Sequence, residues 1–540
     1  MTKQGSNYFR IAIGGLLLLP LLFLGCNTSA VESKTKQVFR YNEHKNIGAL
    51  DPAFAKDNAD ISAVNQLFNG LVQMDSVMNV VPAIASSWEI LENATVYTFE
   101  LRSDVYFHTH DLFGVNQTRT VSAHDFVYSF DRLRDPKLAS PGGWVLQNVK
   151  SYKALNSHRF QIILKAPFPA FLGLLTMKYC SVVPKEIVTH FGTNFRSNPI
   201  GTGPYKFKRW EENNKLIFRK NNRYFETNNR GEKLPYLEAV SITFLADKQS
   251  EFLQFIQGNL DYISGLDASY KDDILRADGT LKQTYNSSVK MLRAPYLNTE
   301  YLGFYMDSKL PEYQSELIRQ ALNYGFDRSK MMKYLRNGIG IPAVGGFIPK
   351  GLPGHNENSG YDYQPKKAKQ LLETYRKESG NLKPTLTLTT TSNYLSFSEF
   401  IQRELQSIGL TIQIEVMPPS SLKSAKSNGK VDLFRASWVA DYPDAQNYLS
   451  LFYSGNFAPN GPNYTHFKDD QFDKWYEKAM LETDQTKRIN LYRKMDALVL
   501  KKAPVVVLFY DEVIRFTSID VTGLGINPTN LLELKHVQKN

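Results

Sequence analysis

Cysteine is nearly absent from this chain of 540 residues: there are two, Cys26 and Cys180. So small a number excludes a disulfide framework as what holds the fold. Cys180 lies in Lys178-Tyr179-Cys180-Ser181-Val182-Val183 with no histidine pattern beside it, and reads as a small packed hydrophobe. Catalytic signatures are missing too. Without a Gly-x-Ser-x-Gly elbow or a His-Glu-x-x-His helix, nothing supports an enzyme. His108, His110 and Asp111 crowd one loop, but no further His or Cys stands near, so the stretch reads as a solvated insertion that holds no metal. Gly201-Thr202-Gly203-Pro204-Tyr205 lacks the third glycine, the lysine and the following helix of a phosphate loop, and a turn is expected. No internal repeat is present, and no cationic stripe. The formal charge is +11, yet bases are dispersed among acids, as in Lys366-Lys367 against Glu373, which excludes nucleic acid as a partner. After Cys26 no apolar run is long enough to span a bilayer.

The amino terminus does carry an apolar run. Lys3 and Arg10 precede an uncharged stretch, residues 11–24, that ends in Phe23-Leu24-Gly25-Cys26. It falls short of the ~20 residues a membrane span needs and is broken by Pro20. Residues 1–26 therefore read as a lipoprotein signal peptide with a lipobox, and Cys26 as the lipidated first residue of the mature chain. Two or more acyl chains on one cysteine attach a protein stably to a membrane. Residues 27–37 are polar enough to be the tether, and an uncleaved anchor is the alternative. Loss of Lys3 and Arg10 lowers the formal charge to +9.

The remaining body is too long for one typical core, and its 42% hydrophobic content is ordinary, so two or three substructures are expected. Aromatics make up 13%, with 30 Tyr, and tyrosine offers a cleft both ring surface and a hydroxyl. Residues 96–102 alternate as a strand, Ser122 caps a helix over residues 123–130, and residues 206–219 form a hairpin around Trp210. A helix-rich segment over residues 315–337 ends at Gly338, and Pro365 starts a helix with Ala368, Leu371, Leu372 and Tyr375 on one face. Residues 386–389 (strand), 397–408 (helix, stopped by Gly409) and 410–416 (strand) compose a β-α-β unit, and residues 431–434 are the next strand. Just beyond it lie Arg435, Trp438 and Asp441, where open α/β sheets bind ligands. Their even spacing would turn Arg435 and Asp441 to one side of an extended segment, which suits a zwitterion. The bland alternative is that the two charges pair only with each other.

The order of several short motifs carries a resemblance. They run from Leu50-Asp51-Pro52 through Leu67-Phe68-Asn69-Gly70-Leu71, Pro82-Ala83-Ile84-Ala85-Ser86-Ser87-Trp88 and Ala123-His124-Asp125-Phe126-Val127-Tyr128-Ser129. Gly201-Thr202-Gly203-Pro204-Tyr205, Arg319-Gln320-Ala321-Leu322-Asn323 and Asp327-Arg328 follow. In this order, behind a lipobox, the sequence resembles the oligopeptide- and dipeptide-binding lipoproteins of ABC importers, extracytoplasmic solute-binding family 5. The resemblance implies an α/β, two-lobed periplasmic-binding-protein fold (type II, cluster C) with a two-strand hinge and an extra subdomain on lobe one. Residues 38–69, 190–289 and 505–540 would form lobe one, 70–189 the subdomain and 290–504 lobe two. It further implies a monomer that captures short peptides by closure and delivers them to permease and ATPase subunits, with no cofactor, metal or reaction. The body would face the periplasm or the outside of the cytoplasmic membrane. Arg435-x-x-Trp438-x-Ala440-Asp441-Tyr442 is similar to the segment whose aspartate holds a peptide ammonium. By that match Asp441 is the anchor, Arg435 a carboxylate partner, and Trp438 and Tyr442 pocket walls. Gly142-Gly143 stands where relatives place an aromatic, leaving Trp144 as a substitute wall. Lys56 and Asp57 depart from the pattern of a stretch that pairs with peptide backbone, and the His108-Thr109-His110 loop departs as well. A sugar or other non-peptide solute on the same fold, or a lipid-anchored peptide hydrolase or chaperone, are the competing readings.

Overall fold

The computed structural model describes residues 37–540, apart from residues 268 and 358. The expected signal peptide, Cys26 and all of the tether but Gln37 lie outside the described residues.

Two long antiparallel strands organise the molecule, Val289–Phe304 and Val505–Ser518. The second, Val-Val-Val-Leu-Phe-Tyr-Asp-Glu-Val-Ile-Arg-Phe-Thr-Ser, is buried along nearly its whole length, as a central strand covered on both faces must be. The two pair from Val289 with Ser518 to Pro295 with Glu512, lose register, and resume from Thr299 with Tyr510 to Gly303 with Val505, with one further shift between Glu300 and Tyr301 inside the second lobe. Pro295 has no N–H to give to the ladder, so the break falls where the chemistry allows it.

Each side of that break carries its own half of an 11-stranded sheet. Tyr262–Ser264 adds to the Arg515–Thr517 side, followed by Val38–Asn42, Ala239–Thr243, Lys215–Lys220 and Tyr205–Glu211. Leu433–Val439 adds to the Asn298–Phe304 side, followed by Thr385–Thr390 and Thr411–Val416. The result is two lobes joined by two strands. Both strands run through both lobes, so residues 290 and 505 mark strand ends, and the lobes divide near Pro295–Thr299 and Tyr510–Glu512.

In the second lobe the β-α-β unit forms as its periodicity predicts. Leu395–Ile408 is helical and stops at Gly409, whose φ of 92° suits a residue without Cβ. Its Phe400, Ile401, Leu405 and Ile408 pack on Leu386, Leu388 and Leu433, each such burial contributing ~1.5–3 kcal/mol.

A four-stranded sheet in the order Ala85–Leu91, Val96–Leu101, Arg159–Leu164 and Val149–Asn156 forms the subdomain, backed by the helix Ala123–Arg134. Phe99, Phe126, Phe130, Phe160 and Cys180 are buried in its core. The helix starts where Ser122 predicts, with the Asp125 carboxylate accepting from the Ser122 N–H at 2.8 Å and its hydroxyl at 3.0 Å.

One expectation fails in part. The His108 loop is no simple solvated insertion: His108 is buried, its Nε2 lies 3.0 Å from the Gly203 carbonyl and its Nδ1 accepts from the Gly201 N–H at 3.3 Å. Burial pushes its pKa down to about 4, so the ring stays neutral and clamps the glycine turn. Those glycines are there for close approach: a Cβ on Gly201 would sit 2.1 Å from the Leu67 carbonyl oxygen. The C-terminal segment docks on the first lobe through buried Arg515, which donates to the carbonyls of Gly525 and Leu531.

Asp51 of the Leu-Asp-Pro motif ties the first lobe to the subdomain, its carboxylate accepting from both Arg132 Nη atoms at 3.1 and 2.7 Å. The side chains are only 5% and 11% exposed. Arg132→Met, which strands that carboxylate, is expected to destabilise the protein by about 3–5 kcal/mol in urea unfolding at constant m-value. A loss below about 1 kcal/mol would show that the pair does not fix this junction.

Candidate functional site

The strand expected over residues 431–434 is Leu433–Val439, two residues inside that window and five beyond the apolar run. Arg435-Ala436-Ser437-Trp438 is poor in strand-forming pattern, but full pairing with Asn298–Phe304 holds it extended. Arg435 therefore sits within a strand and not past its end. Its Nη2 meets Glu300 Oε2 at 2.5 Å and its guanidinium lies 3.4 Å over the Tyr394 ring. Glu300 is 2% exposed, and Asn298 and Tyr394 donate to its other oxygen at 3.1 and 3.2 Å. Burial raises the Glu300 pKa and Arg435 pulls it back, so the two charges depend on each other. The alternative in which Arg435 and Asp441 pair only with each other does not hold, and the expected common face is absent.

Beyond Val439 the strand stops. Ala440 donates to the Leu297 carbonyl at 2.9 Å and Asp441-Tyr442-Pro443 bends away, Pro443 being unable to continue a ladder. Asn447, in the short helix Gln446–Leu449, holds this bend: its Oδ1 accepts from Trp438 Nε1 at 2.7 Å and from the Asp441 N–H at 3.4 Å. Trp438 thus positions the bend from within the second lobe and does not line the cleft. Asp441 is exposed to the cleft and has no ion-pair partner among the described residues. The surrounding protein withholds part of its hydration and raises its pKa, against a lowering hydrogen bond from Asn447.

Tyr442 crosses to the other side. Its ring joins the buried core of the subdomain, a Cβ on Gly173 would lie 3.6 Å from its own Cβ, and its hydroxyl donates to Gln446. Met78, on a subdomain turn, reciprocally packs against the second lobe's core. Between these contacts lies a cleft of about 1540 Å³, counting space open to solvent. The first lobe lines it with Asn58, Ile61 and Asn65, the subdomain with Met74, Lys178 and Tyr179, and the second lobe with Val439 to Pro443. Lys56 of the Phe54–Asn58 stretch also faces it. Trp144 does not: it is half exposed on the turn Gly143–Leu146. Lys178, Tyr179, Asn65 and Asn530 were not singled out by any local motif, because only packing between distant segments brings them to one cavity.

Two lobes on a two-strand hinge, enclosing a ligand-sized cleft into which an unpaired carboxylate projects, define a solute-binding protein. The model of the bacterial extracellular solute-binding proteins, family 5 (middle), matches residues 79–460, and the chain belongs to that family. It is 25% identical to the Pseudomonas aeruginosa protein named "Probable di/tripeptide-binding protein 5", over 96% of this chain and 97% of that one. It is 26% identical to the Escherichia coli "Probable deoxycholate-binding periplasmic protein YgiS", over 93% of each chain. Among solved structures it resembles the Helicobacter pylori periplasmic binding protein DppA in complex with the peptide STSA. That likeness has a TM-score of 0.75 and 25% identity, over 94% of this chain and 99% of that one.

The Arg435–Glu300 pair makes a checkable claim about stability. Glu300→Gln keeps the shape and removes the charge that neutralises a largely buried guanidinium, so a loss of about 3 kcal/mol is expected in chemical denaturation. An unchanged midpoint would mean that Arg435 does not need Glu300 and is free for other partners.

Proposed function

We propose that this protein captures short peptides in the interlobe cleft and delivers them to the permease and ATPase subunits of an ABC importer. The observation that carries this reading is Asp441, a carboxylate facing the cleft with no cation of its own among the described residues, held on a bend that Asn447 and Pro443 fix. A peptide's α-ammonium supplies the missing charge. Family membership and the printed peptide ligands of two relatives support it. Cys26 is proposed as the lipid anchor, placing a monomeric body at the periplasmic or outer side of the cytoplasmic membrane.

Capture works by closure. Tyr442 and Met78 already bridge the lobes, and a ligand that contacts both sides stabilises that closed state over an open one by its differential affinity. Main-chain and ammonium contacts then select for a peptide backbone, while water fills the side-chain spaces and tolerates variety. The relative named for deoxycholate binding keeps a non-peptide solute as the second reading. A bile-acid-like solute has no cation for Asp441 and leaves an unpaired anion in the cleft, which argues against it here.

Calorimetry with a mixed library of short peptides tests the reading. Free peptides are expected to bind, their N-acetylated counterparts to fail, and Asp441→Asn to weaken binding by roughly 30-fold or more, the equivalent of about 2 kcal/mol for removing one partner of a desolvated charge pair. No binding in either library would overturn the peptide reading in favour of non-peptide solutes.

A further inference from the structure

The charged groups that line the cleft are unequally satisfied. Asp75 is taken up by its own turn, accepting from the N–H groups of Val77 and Asn79 at 3.0 and 2.8 Å. Lys535 is held by Glu226 at 2.7 Å and Gln73 at 3.0 Å, and lies 3.8 Å from Glu533. Lys56 has no ion pair among the described residues but is exposed, so water solvates it. Lys178 is different. It is half-buried, it lines the cleft, and among the described residues its ammonium has neither a hydrogen-bond nor an ion-pair partner.

Its placement is firm. Lys178 starts the turn Lys178–Cys180, in which Cys180 donates to the Met177 carbonyl at 2.9 Å and its side chain is buried in the subdomain core. The neighbouring Tyr179 shares the cleft with Asp441, whose charge helps hold the Tyr179 phenol up at about 12, although burial does most of that work. The groups facing Lys178 are Glu533, Lys535 and Glu226. Both acids already serve Lys535, so three ammonium donors are left unfilled. Burial accordingly pushes the Lys178 pKa down to about 8; Glu533 and Glu226 pull it back only in part, and Lys535 adds to the lowering.

We infer that Lys178 is the cationic pole of the cleft and binds a carboxylate of the ligand, opposite the ammonium that Asp441 binds. The inference rests on the peptide reading and narrows it: the preferred ligand is a short zwitterionic peptide whose carboxylate, C-terminal or side-chain, reaches Lys178. Arg435, the carboxylate partner that the motif suggests, is already neutralised by Glu300. A ligand carboxylate restores the Lys178 pKa upward, so binding takes up protons near pH 8.

The test is calorimetric titration of the purified protein with di-, tri- and tetra-alanine, with their C-terminal amides, and with the same amides carrying one glutamate. Carboxylate forms are expected to bind at least tenfold tighter than plain amides. Lys178→Met should erase that difference without weakening the amides or lowering the melting temperature, and Lys178→Arg should keep it. In buffers of different ionisation enthalpy near pH 8, where the peptide's own α-amino group also takes up protons on meeting Asp441, carboxylate forms should take up more protons than the matching amides in the wild type, and that excess should vanish in Lys178→Met. Recovery by the glutamate amides assigns the site to a side-chain carboxylate, and its absence to the C-terminus. Amides that bind as tightly as free peptides, or a carboxylate preference that survives Lys178→Met, would overturn the role of Lys178 while leaving peptide binding intact. If no free-ammonium probe binds at all, the peptide reading fails and this role with it.

Discussion

Everything in this structure hangs on one broken antiparallel pairing, that of Val289–Phe304 with Val505–Ser518. A strand pair can join two lobes stiffly while it stays in register, or loosely where register is lost, and this pair does both along its length. Pro295 and the shift to Thr299 remove ladder bonds where the paired strands pass from one lobe to the other, concentrating any bending there. Neighbouring strands cannot bridge the break, since each pairs on one side only. The cleft, the charges in it and the cross-lobe seats of Tyr442 and Met78 all inherit their positions from this geometry.

The same constraint explains why two charges six positions apart meet opposite fates. Arg435 lies within the paired strand, facing the buried Glu300, and a charge there must be matched by the protein itself. Asp441 lies just past the strand end, on a bend that pairing no longer controls, and faces the cleft. An internal counterion makes Arg435 a structural residue, and the lack of one among the described residues leaves Asp441 open to a ligand. The distinction comes from where the sheet ends, between Val439 and Asp441.

Much of the scaffold was legible beforehand because its signals are local. The helix Leu395–Ile408 announces itself by a 3.6-residue apolar period and Gly409, and the helix from Ala123 by Ser122 and Asp125. The strand through Arg435 and Trp438 was legible only in its apolar start, since the rest is extended through pairing with a partner some 130 residues away in sequence, as the separation of 135 between Arg435 and Glu300 shows. His108 was misread for a related reason: its partners, Gly201 and Gly203, are in another lobe segment altogether. Asp441 was reachable by the likeness of its motif to a family, and Trp144 was drawn in by the same likeness without lining the cleft. Lys178 had no signal, because a lysine beside a tyrosine looks the same whether its counterions are free or already taken.

That last point bears on selectivity. A cleft that held a peptide only by its ammonium would fix one end and leave length and register open, and water-filled side-chain spaces would not restore them. A second fixed charge changes this, because a zwitterion must then span from one pole to the other, and each residue added or removed shifts the carboxylate by about 3.3–3.6 Å in an extended chain. Asp441 belongs to the second lobe and Lys178 to the subdomain of the first, so a ligand that satisfies both also ties the lobes together. If Asp441 and Lys178 hold the two ends as proposed, recognition and closure draw on the same two ionic contacts, and a peptide of the wrong length gives up one of them.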